Sequence, residues 1–70
     1  MAPRSKVKII VDEVAADIRS GQLKPGDRIA GTTEMMQKYS VGVMTVRTAI
    51  GQLKTLGLVD TVPGIGTFVK

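Results

Sequence analysis

Residues 41–57 constrain the fold most, because their pattern predicts one long helix with two unlike faces. Apolar residues recur three or four positions apart, and such a stripe must be buried against other parts of the chain. The stripe consists of Val43, Val46, Ala49, Ile50, Leu53 and Leu56. The opposite face carries no acidic residue and consists of Met44, Arg47, Thr48, Gly51 and Thr55. One face of this helix is therefore expected in the core and the other at the surface.

The acid-free face favours DNA as its partner. In the major groove, Arg can bond guanine, Thr can bond phosphate, and an apolar side chain can contact a thymine methyl. A surface helix that only keeps a protein in solution usually carries charges of both signs. The alternative is an ordinary amphipathic helix with small outer residues, and this stretch alone leaves both interpretations open.

The charge of the chain favours a polyanionic partner. Ten Lys and Arg against six Asp and Glu give a net charge of +4 in 70 residues, which form a single domain, 1–70. Nucleic acid and an anionic membrane surface both fit this excess. No apolar run approaches the length of a membrane span, and the start MAPRSKVKIIV lacks the pattern of a signal peptide. We expect a cytoplasmic, nucleoid-associated protein with no membrane partner.

The absence of two residue types excludes most catalytic and metal chemistry. The sequence has no Cys and no His, so disulfides, thiolate chemistry and the commonest general base are excluded, and zinc would have only carboxylate ligands. The acidic residues Asp12, Glu13 and Asp17 lie on one predicted helix, and nothing in the sequence indicates a pocket around them. We predict that the chain is not an enzyme and uses no metal and no cofactor.

A first amphipathic helix is predicted before Gly21, which is a natural C-cap. Its apolar stripe consists of Val7, Ile10, Val11, Val14, Ala15 and Ile18. Residues 1–5 are expected to form a basic arm, with Ser5 as a candidate N-cap of the helix. Lys6 and Lys8 follow the arm, and they are either solvated or contact phosphates beside a DNA-reading surface.

A second, short helix is predicted to begin at Thr32 or Thr33, as its cap, and to continue to about Lys38. Glu34 then lies in the first turn, where the helix dipole favours an acid. Residues 40–42, Ser-Val-Gly, interrupt the chain before the long helix. A short helix, a tight turn containing Gly and a longer helix form the helix-turn-helix order, in which the second helix is presented to the groove.

The pattern after the long helix predicts a β-hairpin. Residues 58–62 and 66–70 are short and rich in β-branched side chains, and Pro63-Gly64 suits the centre of a type II turn. A short extra strand is expected near 27–30, where the sequence is Asp-Arg-Ile-Ala. The predicted fold is mainly α with a small β-hairpin. It is a winged helix-turn-helix of three helices plus a two-stranded wing.

Three separate segments of the chain match one family. The first is GQLKPGDRI at 21–29, and the second comprises Val41, TVR at 45–47, AI at 49–50 and Leu53. The third comprises GLV at 57–59 and GIGTFV at 64–69. Together they resemble the N-terminal DNA-binding domain of the GntR-type bacterial transcription regulators, over roughly Val7 to Val69. The resemblance implies double-stranded DNA as the partner, dimeric binding to a palindrome, and repression of transcription. In the family a larger effector-binding and dimerisation domain usually follows, so a homodimer is expected through such a missing C-terminal domain or on DNA.

The resemblance also implies how DNA is contacted. Helix 43–56 would read the major groove, and the wing at 63–66 would contact the minor groove. The chain departs from the family pattern at 30–33, Ala-Gly-Thr-Thr, where the family usually has Pro-Ser-Glu-Arg and its Arg contacts DNA. It departs again at 42–43, Gly-Val instead of Ser-Arg, and at Ile65, where the wing tip is often basic. Each missing bidentate Arg can remove about 1–3 kcal/mol of base discrimination.

The candidate DNA contacts combine the helix face, the wing and the basic start of the chain. They are Lys6, Lys8, Thr33, Val43, Met44, Thr45, Arg47, Thr48, Gly64, Ile65 and Gly66. Arg47 and Thr45 would contact bases or phosphates, Met44 and Val43 would contact thymine methyls, and Thr33 would bond phosphate. The missing arginines motivate the alternative prediction, a winged-helix protein-interaction or architectural module with weak, non-specific DNA binding.

Overall fold

Three α-helices and a two-stranded antiparallel sheet make up the computed structural model, which describes residues 6–70. In chain order they are α1 (Lys6–Ser20), α2 (Thr32–Tyr39), α3 (Val43–Thr55), β1 (Val59–Val62) and β2 (Gly66–Val69). The predicted winged helix-turn-helix fold is confirmed. The predicted arm at 1–5, with Ser5 as a cap, lies outside the described residues.

The helices and the wing share one apolar core, in which α1 packs against α3. Its buried members are Ile10, Val11, Val14, Ala15, Ile29, Met35, Val46, Ala49, Leu53, Val59 and Val69. The predicted stripe on α1 is confirmed, with Val7 and Ile18 partly buried at its two ends. Within residues 6–70 no polar or charged residue is buried, so the elements are held together by apolar packing. In the same part of the chain, no helix combines the length and the apolar character that crossing a bilayer requires.

The buried stripe of α3 is narrower than the sequence predicted. Its middle is fully buried, whereas Val43 is 38% exposed and Leu56 is 59% exposed. Val43 lies in the first turn, and Leu56 follows the last helical residue, just before Gly57 (φ 76°) turns the chain. The predicted end of the helix at residue 56 was therefore one residue too late, because Leu56 is the C-cap. The neighbouring elements cover only the middle of α3, so both ends of the stripe stay at the surface.

The cap of α2 is Gly31, so the prediction of Thr32 or Thr33 was wrong. Gly31 has an extended backbone (φ −70°, ψ 169°), and its N–H donates to Glu34 Oε1 at 3.5 Å. The backbone is already helical at Thr32, so neither threonine occupies the extended cap position. The predicted place of Glu34 in the first turn is confirmed, and its carboxylate supplies the bond from the helix back to the cap.

The turn between α2 and α3 lies at residues 40–42, as predicted. Ser40 adopts the left-handed conformation (φ 54°, ψ 52°), and its N–H donates to Met36 O. Glycine more often takes this role at the end of a helix. Gly42 then caps α3 with an extended backbone (φ −84°, ψ 171°). The two helices are thereby joined by a tight turn, and the first turn of α3 comes to the surface.

The wing is a hairpin closed by the turn at Pro63-Gly64. The Ile65 N–H donates to Val62 O at 3.0 Å, and Gly64 has a φ of 76°. A positive φ at the third residue of a hydrogen-bonded turn, after Pro at the second, defines type II. The predicted turn is therefore confirmed.

The short strand predicted near 27–30 is present as a single antiparallel bridge between Arg28 and Phe68. The Ile29 N–H donates to Thr67 O at 2.9 Å beside this bridge. The segment that precedes α2 therefore pairs with the free edge of β2. This pairing places Arg28 next to the wing.

Candidate nucleic-acid interface

The outer face of α3 is open to solvent and carries no acid along the whole helix. Met44 is 68% exposed, Arg47 and Thr48 are also exposed, and Thr45 is half-buried. With Val43, these predicted contacts all fall in the first two turns, directly after the turn from α2. The five helix residues of the candidate set thus lie close together along α3, four of them exposed and Thr45 half-buried.

The Thr48 hydroxyl is engaged within the helix, which the sequence did not reveal. It donates to Met44 O at 2.9 Å. A hydroxyl has one proton, so Thr48 offers only lone pairs to a partner while this bond persists. A phosphate oxygen accepts hydrogen bonds, and Thr48 therefore binds one only after releasing Met44 O. The Thr45 hydroxyl makes no such bond within residues 6–70.

A cleft of about 270 Å³ between α3 and the wing carries two cations, Arg47 and Lys54. From the wing, Thr61 and Thr67 face this cleft, and their hydroxyl oxygens are 3.4 Å apart. Neither cation has an ion-pair partner within residues 6–70. Lys54 was absent from the predicted contacts, although it follows Arg47 by seven residues, two helical turns on the same face. Both charges are available to a polyanion lying along α3 and the wing.

The wing tip is exposed and apolar. Gly64, Ile65 and Gly66 lie together at the end of the hairpin, and Ile65 is 62% exposed. The Ile65 N–H already donates inside the turn. The tip is therefore narrow and apolar, and it can enter a groove but brings no charge of its own.

Arg28 is a cation beside the wing that the sequence interpretation missed. It lines a cavity of about 310 Å³ together with the wing tip, and its side chain passes over Gly66. The strand predicted near 27–30 could have indicated this position, because such a short strand must pair with an edge of the hairpin. The edge that it pairs with is fixed by tertiary structure and is not encoded in local spacing.

The two lysines of α1 have different surroundings. Lys6 Nζ donates to Tyr39 O at 3.3 Å, so it lies beside the turn that leads into α3. Lys8 Nζ is 3.6 Å from Asp12 Oδ2, one helical turn away, and both side chains are more than half exposed. Exposed pairs of this kind contribute about 0–1 kcal/mol. The structure thus brings Lys6 close to the helix-turn-helix, whereas Lys8 is held by its own helix.

The remaining predicted contact, Thr33, lies on α2, which also carries Lys38. Thr33 is exposed in the first turn. Lys38 Nζ lies 5.3 Å from the centre of the Tyr39 ring, within cation–π range. Burial raises the pKa of Tyr39, an effect that the charge of Lys38 opposes. The Tyr39 hydroxyl therefore stays protonated at neutral pH and adds no negative charge to this surface.

Comparison with known proteins gives a consistent result. The family model for bacterial regulatory proteins of the gntR family matches residues 6–69. The HTH-type transcriptional regulator LutR of Bacillus subtilis (strain 168) is 38% identical over 53 residues, which are 76% of this chain and 24% of LutR. The mannosyl-D-glycerate transport/metabolism system repressor MngR of Escherichia coli (strain K12) is 34% identical over 61 residues, 87% of this chain and 25% of MngR. The chain spans about a quarter of the length of these relatives.

A solved structure of the AraR DNA-binding domain in complex with an operator has the same fold. It superimposes with a TM-score of 0.91 at 37% sequence identity, over 100% of this chain and 82% of that one. The resemblance inferred from the three sequence segments is therefore confirmed by family, by relatives and by fold.

Proposed function

Because the chain belongs to the gntR family of bacterial regulatory proteins, we propose that it binds double-stranded DNA and regulates transcription as a repressor. One observation carries the proposal: the exposed, acid-free face of α3 continues into the cleft of Arg47 and Lys54. MngR is a repressor, and the AraR domain with this fold was solved in complex with an operator. These likenesses support the same reading of the surface.

We propose that α3 reads the major groove through its first two turns. Arg47 bonds a guanine edge or a phosphate, and Thr45 has a hydroxyl free to bond either one. The exposed side chains of Met44 and Val43 contact thymine methyls. Thr48 is a weaker candidate for a phosphate contact, because its hydroxyl must first break its hydrogen bond to Met44 O.

The wing and the remaining candidate contacts position the domain on DNA without reading the base sequence. The tip at 63–66 enters the minor groove, where an apolar residue such as Ile65 can pack against the sugars and base steps. Thr33 bonds a phosphate, and Lys6 and Lys8 contribute to the release of counterions. These contacts fix orientation, and the specificity of binding comes mainly from α3.

A single domain of this kind covers one half-site, so we propose that two copies bind a palindrome. The chain spans about a quarter of its relatives' length, and a further domain is the proposed place of dimerisation and effector binding. Linking two domains raises the overall affinity through effective concentration. The proposed location is the cytoplasm, in association with the nucleoid.

A protein partner is the second candidate, and exposed apolar side chains favour it. Met44 and Ile65 are 68% and 62% exposed, and two arginines usual in the family are absent. A partner helix with its own apolar face fits such a surface. This reading predicts binding that changes little with salt, whereas DNA binding falls steeply as salt rises.

An amide NMR titration with a mixed-sequence duplex tests the proposal. At low salt, we expect shifts on residues 43–48, on the tip at 64–66 and near Lys6. The shifts that persist near physiological salt will report contacts beyond phosphate attraction. The exposed outer residues Ala16 and Arg19 of α1 serve as an internal control and should shift little. An absence of shifts at low salt would reject DNA binding and favour the protein partner.

A further inference from the structure

We propose that Arg28 contacts the DNA backbone and supplies, from the segment before α2, the positive charge that the wing tip lacks. The inference rests on the proposed function and adds to it a specific residue with a specific role. That role is to neutralise one phosphate beside the wing.

The Arg28 side chain lies across the wing at Gly66. A Cβ built on Gly66 would be 2.6 Å from Arg28 Nε and 3.4 Å from Arg28 Cδ. Glycine leaves this space free, and its φ of 152° is one that L residues rarely adopt. The bridge to Phe68 fixes the backbone of Arg28 against β2. The side chain therefore starts from a fixed point and runs towards the base of the wing tip.

The charge of Arg28 is not neutralised inside the molecule. Arg28 is an exposed residue, and its guanidinium has no ion-pair or hydrogen-bond partner within residues 6–70. The carboxylate of the preceding Asp27 accepts the Lys24 N–H at 2.9 Å. Asp60 lies opposite Phe68 on β1, so β2 separates it from Arg28 by two strand spacings, about 10 Å. At that distance, salt largely screens the attraction between two exposed charges.

Arg28 lies beside the wing tip, the part of the wing proposed to enter the minor groove. The cavity of about 310 Å³ is shared by Arg28, the wing tip and the start of α2. Among the described residues that line it, Arg28 is the one with a charge, and none is acidic. A duplex that receives the tip brings its phosphates within reach of this side chain.

The chemistry of the group favours a phosphate over a base. A guanidinium presents a planar fork of donors that fits two phosphate oxygens. Base readout needs a side chain held in one orientation, and no hydrogen-bond partner holds the Arg28 fork. The contact should therefore strengthen binding to every sequence to a similar degree.

Two variants and a matched control test the proposal. Arg28→Ala removes the charge, Arg28→Lys keeps it, and Arg19→Ala makes the same change on exposed α1, away from the wing cavity. Affinity is measured by fluorescence anisotropy on several duplexes between about 50 and 200 mM salt. Thermal unfolding of each variant shows that it is folded.

We expect Arg28→Ala to weaken binding roughly five- to tenfold at about 0.1 M salt on all duplexes, and to lower the salt slope by about 0.9. Arg28→Lys should retain most of the slope, and Arg19→Ala should match the unchanged chain. Equal behaviour of Arg28→Ala and Arg19→Ala overturns the inference, as does a loss confined to one sequence. If the unchanged chain binds no duplex even at low salt, the proposed function fails as well. If it binds while Arg28→Ala has no effect, only this inference fails.

Discussion

α3 and the wing tip both form an exposed surface without acidic residues near a cation, but the residues of each surface are brought together differently. On α3 the exposed residues come from one continuous segment, and their order follows from helical spacing alone. At the wing, the hairpin provides an uncharged tip, while its nearest cation, Arg28, belongs to a segment that precedes α2. The exposed face of α3 is therefore set by local sequence, whereas the cation nearest the wing tip is placed there by tertiary structure.

The difference also concerns how each region is held in place. α3 is anchored along its inner face by three residues that are fully buried in the core, Val46, Ala49 and Leu53. The wing is anchored mainly through its far ends, where Val59 and Val69 are buried, and through the bridge to Arg28. Substitutions in the core should therefore destabilise both regions, whereas a substitution at the surface should affect only the region that carries it.

The largest effect is expected from truncation of the α3 anchor. Leu53 is fully buried in the apolar core, so Leu53→Ala removes packing and leaves a cavity. We expect a loss of about 2–5 kcal/mol in the free energy of unfolding, measured by urea denaturation. In a domain of this size that loss is a large part of the total stability.

Leu56→Ala is the matched control for Leu53→Ala. The same atoms are removed from a side chain that is 59% exposed, and the expected change is within about 0.5 kcal/mol. Equal destabilisation by the two variants would show that α3 is not anchored through its inner face.

Arg47→Ala should have the next largest effect, and it should act on binding only. Arg47 is exposed and has no ion-pair partner within residues 6–70, so its removal leaves the core intact. We expect a loss of about 1–3 kcal/mol in binding to a specific site, together with weaker base preference. Competition assays with duplexes that differ at single positions measure both quantities. Unchanged affinity and unchanged preference would remove α3 from the reading surface.

The contrast between helix and wing explains how far the sequence predicted the structure. Amphipathic spacing predicted α1 and α3, cap and turn residues predicted α2, and Pro63-Gly64 predicted the hairpin turn, because all these signals depend on local geometry. The errors lie at the ends of elements. Gly31 replaced the expected threonine cap, and Leu56 proved to be exposed, because an end depends on which neighbours cover it.

The same contrast between local and tertiary signals applies to the candidate site. Helical spacing predicted an exposed outer face of α3, and this exposure is confirmed for Met44, Arg47 and Thr48. Thr45 entered the candidate set through the family resemblance, and its contact with DNA stays a prediction. The position of Arg28 beside the wing was missed because it depends on pairing with Phe68, which is distant in sequence. The bond from Thr48 to Met44 O was also beyond prediction, since it depends on a side-chain rotamer.

Gly66→Ala tests the wing, with Gly64→Ala as its match. Both glycines have a positive φ, so alanine at either position should cost about 1–2 kcal/mol of stability in thermal or urea unfolding. An added Cβ meets Arg28 only at Gly66, whereas nothing lies within 4 Å of one at Gly64. Gly66→Ala should therefore also displace the guanidinium and lower the salt slope of DNA binding.

A double-mutant cycle separates the two effects of Gly66→Ala. In an Arg28→Ala background, Gly66→Ala should no longer change the salt slope, while the effect of Gly64→Ala should be the same in both backgrounds. Additive effects of Gly66→Ala and Arg28→Ala on the slope would mean that the two residues act independently. The wing would then contribute to DNA binding without help from Arg28, which lies outside the hairpin.

The smallest effect is expected on α1, where Asp12 holds Lys8. Asp12→Asn keeps the shape of the side chain and frees the lysine, so stability should change by no more than about 0.5 kcal/mol. At low salt, DNA affinity should rise roughly two- to fivefold, less than one full phosphate contact provides. Glu13→Gln is the control, because it removes one negative charge from an exposed neighbour that has no ion pair within residues 6–70. If both variants raise affinity equally, net charge alone accounts for the gain. Lys8 would then act through the field of the whole domain, unlike Arg47 on α3, whose effect depends on its place on the surface.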